Sequence, residues 1–106
     1  SGVQKNIKVE IEVETLAECG WALDEKADII MLDNMTPEMV EKAVELRKKK
    51  GLEKQVLLEV SGGITMANIK DYAAAGIDII STGAVTASIK PIDYSLEIIY
   101  KKTSNG

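Results

Sequence analysis

Two hydrophobic rhythms take turns along the chain, and their alternation predicts the fold. From Ile7 to Glu14, apolar Ile7, Val9, Ile11 and Val13 alternate strictly with Lys8, Glu10, Glu12 and Glu14. A period of two marks a strand with one covered face. Asp28-Ile29-Ile30-Met31-Leu32-Asp33-Asn34 reads differently: an unbroken apolar run between two acids. That is a strand buried on both faces, the habit of parallel sheets in α/β proteins. Gln55 to Val60 and Ile77 to Ser81 predict two further strands.

Helical spacing fills the intervals. Thr15-Leu16-Ala17-Glu18 has the form of a capping box, and Leu16, Cys19, Gly20 and Leu23 supply an inward stripe. Trp21 lies off that stripe, so it is exposed or covered by something outside this unit. Thr36-Pro37-Glu38 opens a second helix, with Met39, Val40, Ala43, Val44 and Arg47 at helical spacing and Gly51 as its stop. Thr65 is expected to cap a third, with Ile69 and Ala73 inward and Gly76 at its end. Strands separated by helices make βαβ units, hence a parallel sheet with right-handed crossovers. Beyond Thr82-Gly83-Ala84 lies a weakly patterned segment from Thr86 to Lys90, then Pro91. After it, Ile92 to Tyr100 alternates like a strand with no helix to return it to the sheet. The expected fold class is α/β, one domain over residues 1–106 with 1–6 and 101–106 frayed. It is either half of a TIM-like barrel or a flavodoxin-like open sheet, plus a C-terminal strand.

Composition narrows the chemistry. The chain of 106 residues has room for one modest core. No apolar run approaches the roughly 18 residues of a membrane span, so a cytoplasmic protein without a membrane partner is expected. Cys19 is the single cysteine, which rules out an internal disulfide and fits a reducing compartment. A net charge of −4 gives no reason to expect a nucleic-acid partner. The basic run Arg47-Lys48-Lys49-Lys50 is read as a solvated helix end that complements the dipole. Histidine is absent, which removes the commonest general base and metal ligand. Chemistry falls to carboxylates, lysines, backbone amides or a metal.

Ligands of parallel α/β sheets bind beyond the carboxyl ends of the strands. There the four strands carry Glu12 and Glu14; Asp33 and Asn34; Glu59 before Ser61-Gly62-Gly63; and Ser81-Thr82-Gly83-Ala84. Acids converging on one interior want a divalent cation or a polyhydroxyl ligand, and oxygen-only donors favour magnesium. The glycine loops let a backbone approach an anion, with helices behind them expected to offer amides. Each feature alone has an ordinary reading: a wet strand face, a turn, a helix cap. Together they describe a phosphorylated sugar ligand.

Four segments, in order and spacing, resemble the carboxyl-terminal part of quinolinate phosphoribosyltransferase: Val9-Glu10-Ile11-Glu12-Val13-Glu14, Ile30-Met31-Leu32-Asp33-Asn34-Met35, Leu58-Glu59-Val60-Ser61-Gly62-Gly63-Ile64 and Ser81-Thr82-Gly83-Ala84-Val85-Thr86. The resemblance runs from about Ile7 to Ile98. It implies transfer of a phosphoribosyl group from phosphoribosyl pyrophosphate to quinolinate, giving nicotinate mononucleotide, carbon dioxide and pyrophosphate in NAD synthesis. By resemblance Glu12 and Asp33 are the catalytic pair that meets the ribose and Mg2+. Glu59 then binds substrate, Ser61, Gly62 and Gly63 form one phosphate loop, and Gly83 with Ala84 form another. The family's basic residues that grip quinolinate lie upstream of anything present here. Lys26 stands where members usually have glycine. The expectation is therefore an inactive half-barrel that binds phosphoribosyl compounds weakly and forms a homo-oligomer through the 92–100 strand. Two alternatives stand beside it: a non-catalytic folding or engineered fragment, and a paralogue linked to molybdenum transport or another aromatic acid.

Overall fold

The computed structural model describes residues 7–83, 85–89 and 97–102. Along the chain these form β1 (Ile7–Val13), α1 (Leu16–Asp24), β2 (Ile29–Asp33), α2 (Pro37–Lys49), β3 (Leu57–Ser61), α3 (Ile69–Ala74), β4 (Ile79–Thr82), β5 (Val85–Ser88) and β6 (Glu97–Lys102). They build one sheet in the order β5-β4-β3-β2-β1-β6. Strands β1 to β4 and β6 run parallel, and β5 returns antiparallel on β4. Consecutive strands lie side by side, as in a barrel; a flavodoxin-like sheet would put the second strand outside the first.

The helices share one face. Ile11, Val13, Ile30, Leu32, Leu58, Val60 and Ile80 form a single core with Cys19, Ala22 and Leu23 of α1, Val40 and Ala43 of α2, and Tyr72 of α3. Burying each large aliphatic side chain contributes about 1.5–3 kcal/mol, so this seam is the main source of stability. The other face carries Glu10, Glu12, Ile29, Met31, Asp33, Leu57, Glu59, Ser61, Ile79 and Ser81 by strand alternation and register. A one-sided helix layer is the half-barrel arrangement.

Local chemistry sets the helix ends. Thr15 Oγ1 accepts the Glu18 amide at 3.1 Å, while Glu18 reaches back to the Glu14 amide at 2.7 Å. Thr36 caps α2 through the Met39 amide at 3.2 Å, with Pro37 in the first turn. All three helices end in one Schellman turn, closed by Ala27 N–H to Ala22 O, Leu52 N–H to Arg47 O and Ile77 N–H to Tyr72 O. The left-handed residue in these turns is Gly51 (φ +69), Gly76 (φ +100) and, in α1, Lys26 (φ +57). Glycine suits that place, since a side chain there meets the following carbonyl.

The structure corrects several expectations. Arg47 is not solvated; it is 4% exposed and donates to Asp78 Oδ2 at 2.6 Å and the Val56 carbonyl at 2.9 Å. Its aliphatic stem lies on the inward stripe, so the head follows it inside and needs a counter-ion. Thr65 does not cap α3 directly. It exchanges bonds with Asn68 (Thr65 N–H to Oδ1 at 2.8 Å, Asn68 N–H to Oγ1 at 3.2 Å), and the helix starts at Ile69. Ala73 is exposed and Tyr72 turns inward instead, its hydroxyl donating to the Met35 carbonyl at 2.6 Å. The segment after Thr82 is a strand, β5, paired with β4 from Thr82–Val85 to Ile79–Ser88. Of the expected C-terminal strand, 92–96 lies outside the described residues. The rest pairs within the chain, Ile7 opposite Glu97 through Glu12 opposite Lys102. Lys101 and Lys102 belong to that strand. An open edge of β1 in the same molecule is a more available partner than one supplied by another chain.

Candidate functional site

The carboxyl ends of β1 to β4 bring together residues far apart in sequence. Glu12 stands opposite Met31, Met31 opposite Glu59 and Glu59 opposite Ile79. One step further along the strands comes the row Asp33, Ser61 and Ser81. Both rows face away from the helices. Glu12 and Asp33 are thus diagonal neighbours on adjacent strands, with backbones about 8 Å apart from strand spacing and rise. Two carboxylates can converge there on one ligand.

Asp33 also meets the first glycine loop. A Cβ added to Gly62 would lie 3.3 Å from Asp33 Oδ1, 3.3 Å from Asn34 N and 3.4 Å from Asn34 Cα. Gly62 (φ +86) and Gly63 (φ +74) are both left-handed, so glycine answers a close approach and a backbone need at once. Asn34 N–H donates to the Ser61 carbonyl at 2.8 Å, and Asn68 Nδ2 holds the Gly63 carbonyl at 2.8 Å. Ser61, Gly62 and Gly63 are therefore pinned beside Asp33. Gly83 (φ +63) turns β4 into β5; Ala84 lies outside the described residues. The expected helices behind the loops are not there. Gly83 leads to a strand, and α3, six residues long, begins only at Ile69. Among the described residues, the loops present backbone amides here and no helix terminus.

The face is strongly acidic. Glu59 is 5% exposed. Burial, and then the charge of Glu10, push its carboxyl up to about 7, against the opposing effect of a hydrogen bond from Ser81. Glu10, also buried, is raised by burial and then by Glu12. Like charges in a poorly hydrated space cannot all ionise. Among the described residues, no group of three or more His, Cys, Asp or Glu side chains is placed to hold a metal unaided. Magnesium commonly takes one or two protein carboxylates and completes its shell with substrate oxygens and water. Glu12 and Asp33 fit the protein's part of that donor set.

The sequence reading missed two features of the site. Left-handed Asn34 forms the corner that brings Asp33 to Gly62, and Tyr72 braces the next residue, Met35. An asparagine directly after a strand-end aspartate was the available signal, because asparagine tolerates that conformation. A hollow of about 450 Å3 between α1 and α2, lined by Leu16, Glu41, Lys42, Glu45, Leu46 and Lys49, lies on the helix side, away from these residues. No helix among the described residues is long and apolar enough to cross a membrane.

Comparison with known proteins shows the family. The model of the family "Quinolinate phosphoribosyl transferase, C-terminal domain" matches residues 1–97. A probable nicotinate-nucleotide pyrophosphorylase [carboxylating] of Archaeoglobus fulgidus is 45% identical over 92 residues, 87% of this chain and 36% of that protein. The human nicotinate-nucleotide pyrophosphorylase [carboxylating] is 34% identical over 98 residues, 92% of this chain and 32% of its own length. The structure of the nicotinate-nucleotide pyrophosphorylase from Francisella tularensis superposes with a TM-score of 0.61 at 32% identity, covering 88% of this chain and 40% of that one. The chain thus spans about a third of the length of the curated relatives it matches. On this match, the chain belongs to the quinolinate phosphoribosyltransferase family, through its C-terminal domain.

Proposed function

We propose that this chain supplies the phosphoribosyl side of the active site of a carboxylating nicotinate-nucleotide pyrophosphorylase, a cytoplasmic pentosyltransferase of NAD synthesis. The observation that carries this reading is the packing of Asp33 Oδ1 against Gly62, with Glu12 on the same face of the sheet. A carboxylate pair beside a glycine loop suits a ligand with ribose hydroxyls at one end and a phosphate at the other. Ser61 and the Gly62 and Gly63 amides bind the 5′-phosphate, and Gly83 with Ala84 lends the second loop. Glu12 and Asp33 accept hydrogen bonds from the ribose hydroxyls. In the reaction the bond from ribose to pyrophosphate breaks and a bond to the ring nitrogen of quinolinate forms. The two carboxylates favour the positive charge that develops on the sugar between those events. Glu12 and Asp33 would hold Mg2+, which would supply charge neutralisation for the departing pyrophosphate. Glu59 lies beneath the phosphate loop, where its neutral form does not repel the anion. The basic residues for quinolinate are not in this chain, so the chain alone binds the donor weakly and does not turn over. In this reading copies also associate.

Titration calorimetry with phosphoribosyl pyrophosphate and magnesium tests the reading. Weak binding by the wild-type chain, lost in Asp33→Ala, is expected; heats equal to buffer for both sink it. One observation favours a second reading, a folded half-barrel without a binding role. β6 occupies the outer edge of β1, where a sequential barrel would seat another strand. The same titration separates the two, since relic motifs give no heat.

A further inference from the structure

The connection from β2 to α2 consists of Asn34, Met35 and Thr36, and each residue is held from outside. Asn34 stands at φ +59, and its N–H reaches the Ser61 carbonyl at 2.8 Å across the strand pair. Met35 is buried, with its carbonyl taken by the Tyr72 hydroxyl at 2.6 Å. Thr36 is the cap of α2. The consequence falls on the site. The atoms of residue 34 nearest to Gly62's missing Cβ are backbone, N at 3.3 Å and Cα at 3.4 Å. The carboxamide reaches only the next glycine, with Oδ1 at 3.9 Å from a Cβ built on Gly63.

We propose that Asn34 is a positioning residue of this site: its left-handed backbone, and not its carboxamide, seats the Asp33 carboxylate against the Gly62-Gly63 loop. The role in ligand binding rests on the phosphoribosyl reading above; the role in shaping the loop does not. Turning residue 34 into a right-handed or extended conformation swings its N–H off Ser61, and the peptide that carries Asp33 turns with it. Strain held at one residue by surroundings that over-determine it is a known way of fixing a site. Lys26 is the internal control, a second non-glycine in the left-handed region that ends a helix and touches neither glycine of the loop.

Two substitutions in this chain separate backbone from side chain. Asn34→Gly removes the carboxamide and keeps the left-handed region open, whereas Asn34→Ala resists it. The readouts are the backbone amide NMR signals of Gly62 and Gly63, and titration with phosphoribosyl pyrophosphate and magnesium. Asn34→Gly is expected to leave the signals in place and the affinity within about twofold. Asn34→Ala is expected to displace the signals and weaken binding about tenfold. Lys26→Ala should change neither. Equal losses in Asn34→Gly and Asn34→Ala would overturn the proposal in favour of the carboxamide, and unmoved signals in Asn34→Ala would overturn it outright. Should Asn34→Ala not fold, Asn34→Asp replaces it; aspartate tolerates the left-handed region and must keep the loop signals, or the proposal fails. No binding by any form sinks the phosphoribosyl reading alone, because the signals still decide what Asn34 does to the loop.

Discussion

Asp78 and Asp33 lie at opposite ends of one sheet and in opposite surroundings. Asp78, 1% exposed, sits at the amino-terminal end of β4, where it accepts from Leu58 N–H at 2.9 Å and from Arg47 at 2.6 Å. Asp28 repeats the arrangement before β2, accepting from Val9 N–H at 2.9 Å with Lys8 3.7 Å away. Asp33, at the carboxyl end of β2, is half-exposed and accepts no hydrogen bond among the described residues. One end of the sheet uses its carboxylates to join strands, while Asp33 at the other joins none. Barrels divide their labour the same way, with stability at the bottom and chemistry at the top.

The sharpest way to break this comparison is to remove one acid from each end. Asp78→Ala leaves Arg47 buried without its counter-ion and is expected to cost about 3–5 kcal/mol in urea unfolding. An unchanged midpoint would show that the lower end is not held by this pair. Next in size is a pH effect on the acidic face. Glu59 releases its proton near 4.5 when unfolded and near 7 when folded. Between those values folding takes up a proton, so stability falls as pH rises across the window and stays low above it. The loss should be on the order of 1–3 kcal/mol, and Glu59→Gln should flatten the profile. A wild-type profile already flat from 4.5 to 7 would contradict the burial argument. Smaller still, Lys26→Gly relieves the one Schellman turn that lacks glycine and should stabilise by about 0.5–1 kcal/mol in the same unfolding assay. The smallest effect belongs to Asp33→Ala, within about 0.5 kcal/mol of wild type, even as binding is lost. A cost like that of Asp78→Ala would erase the distinction between the two ends.

Much of the fold was legible because its signals are local. The alternation around Glu10 and Glu12 placed a strand, Thr15 and Thr36 placed helix starts, and the acids and glycines at strand ends marked out where to look. Arg47 was misread because a basic run at a helix end looks the same whether its first member points outward or inward. Only the position of Asp78, 31 residues away, decides that. The β5 segment was missed because its pattern is weak and its partner is β4. β6 was expected to pair between chains because nothing near it in sequence reveals that β1 has a free edge.

Local patterning set the order of the elements, the caps that bound them and the residue types at the strand ends. These depend on side chains within a few positions of one another. Tertiary structure alone decided which face the helices cover, which strand lies beside β1 and how Asp33 comes to rest against Gly62. Those outcomes depend on sheet register and on Asn34's left-handed turn, which are contacts across the sheet that no local pattern encodes.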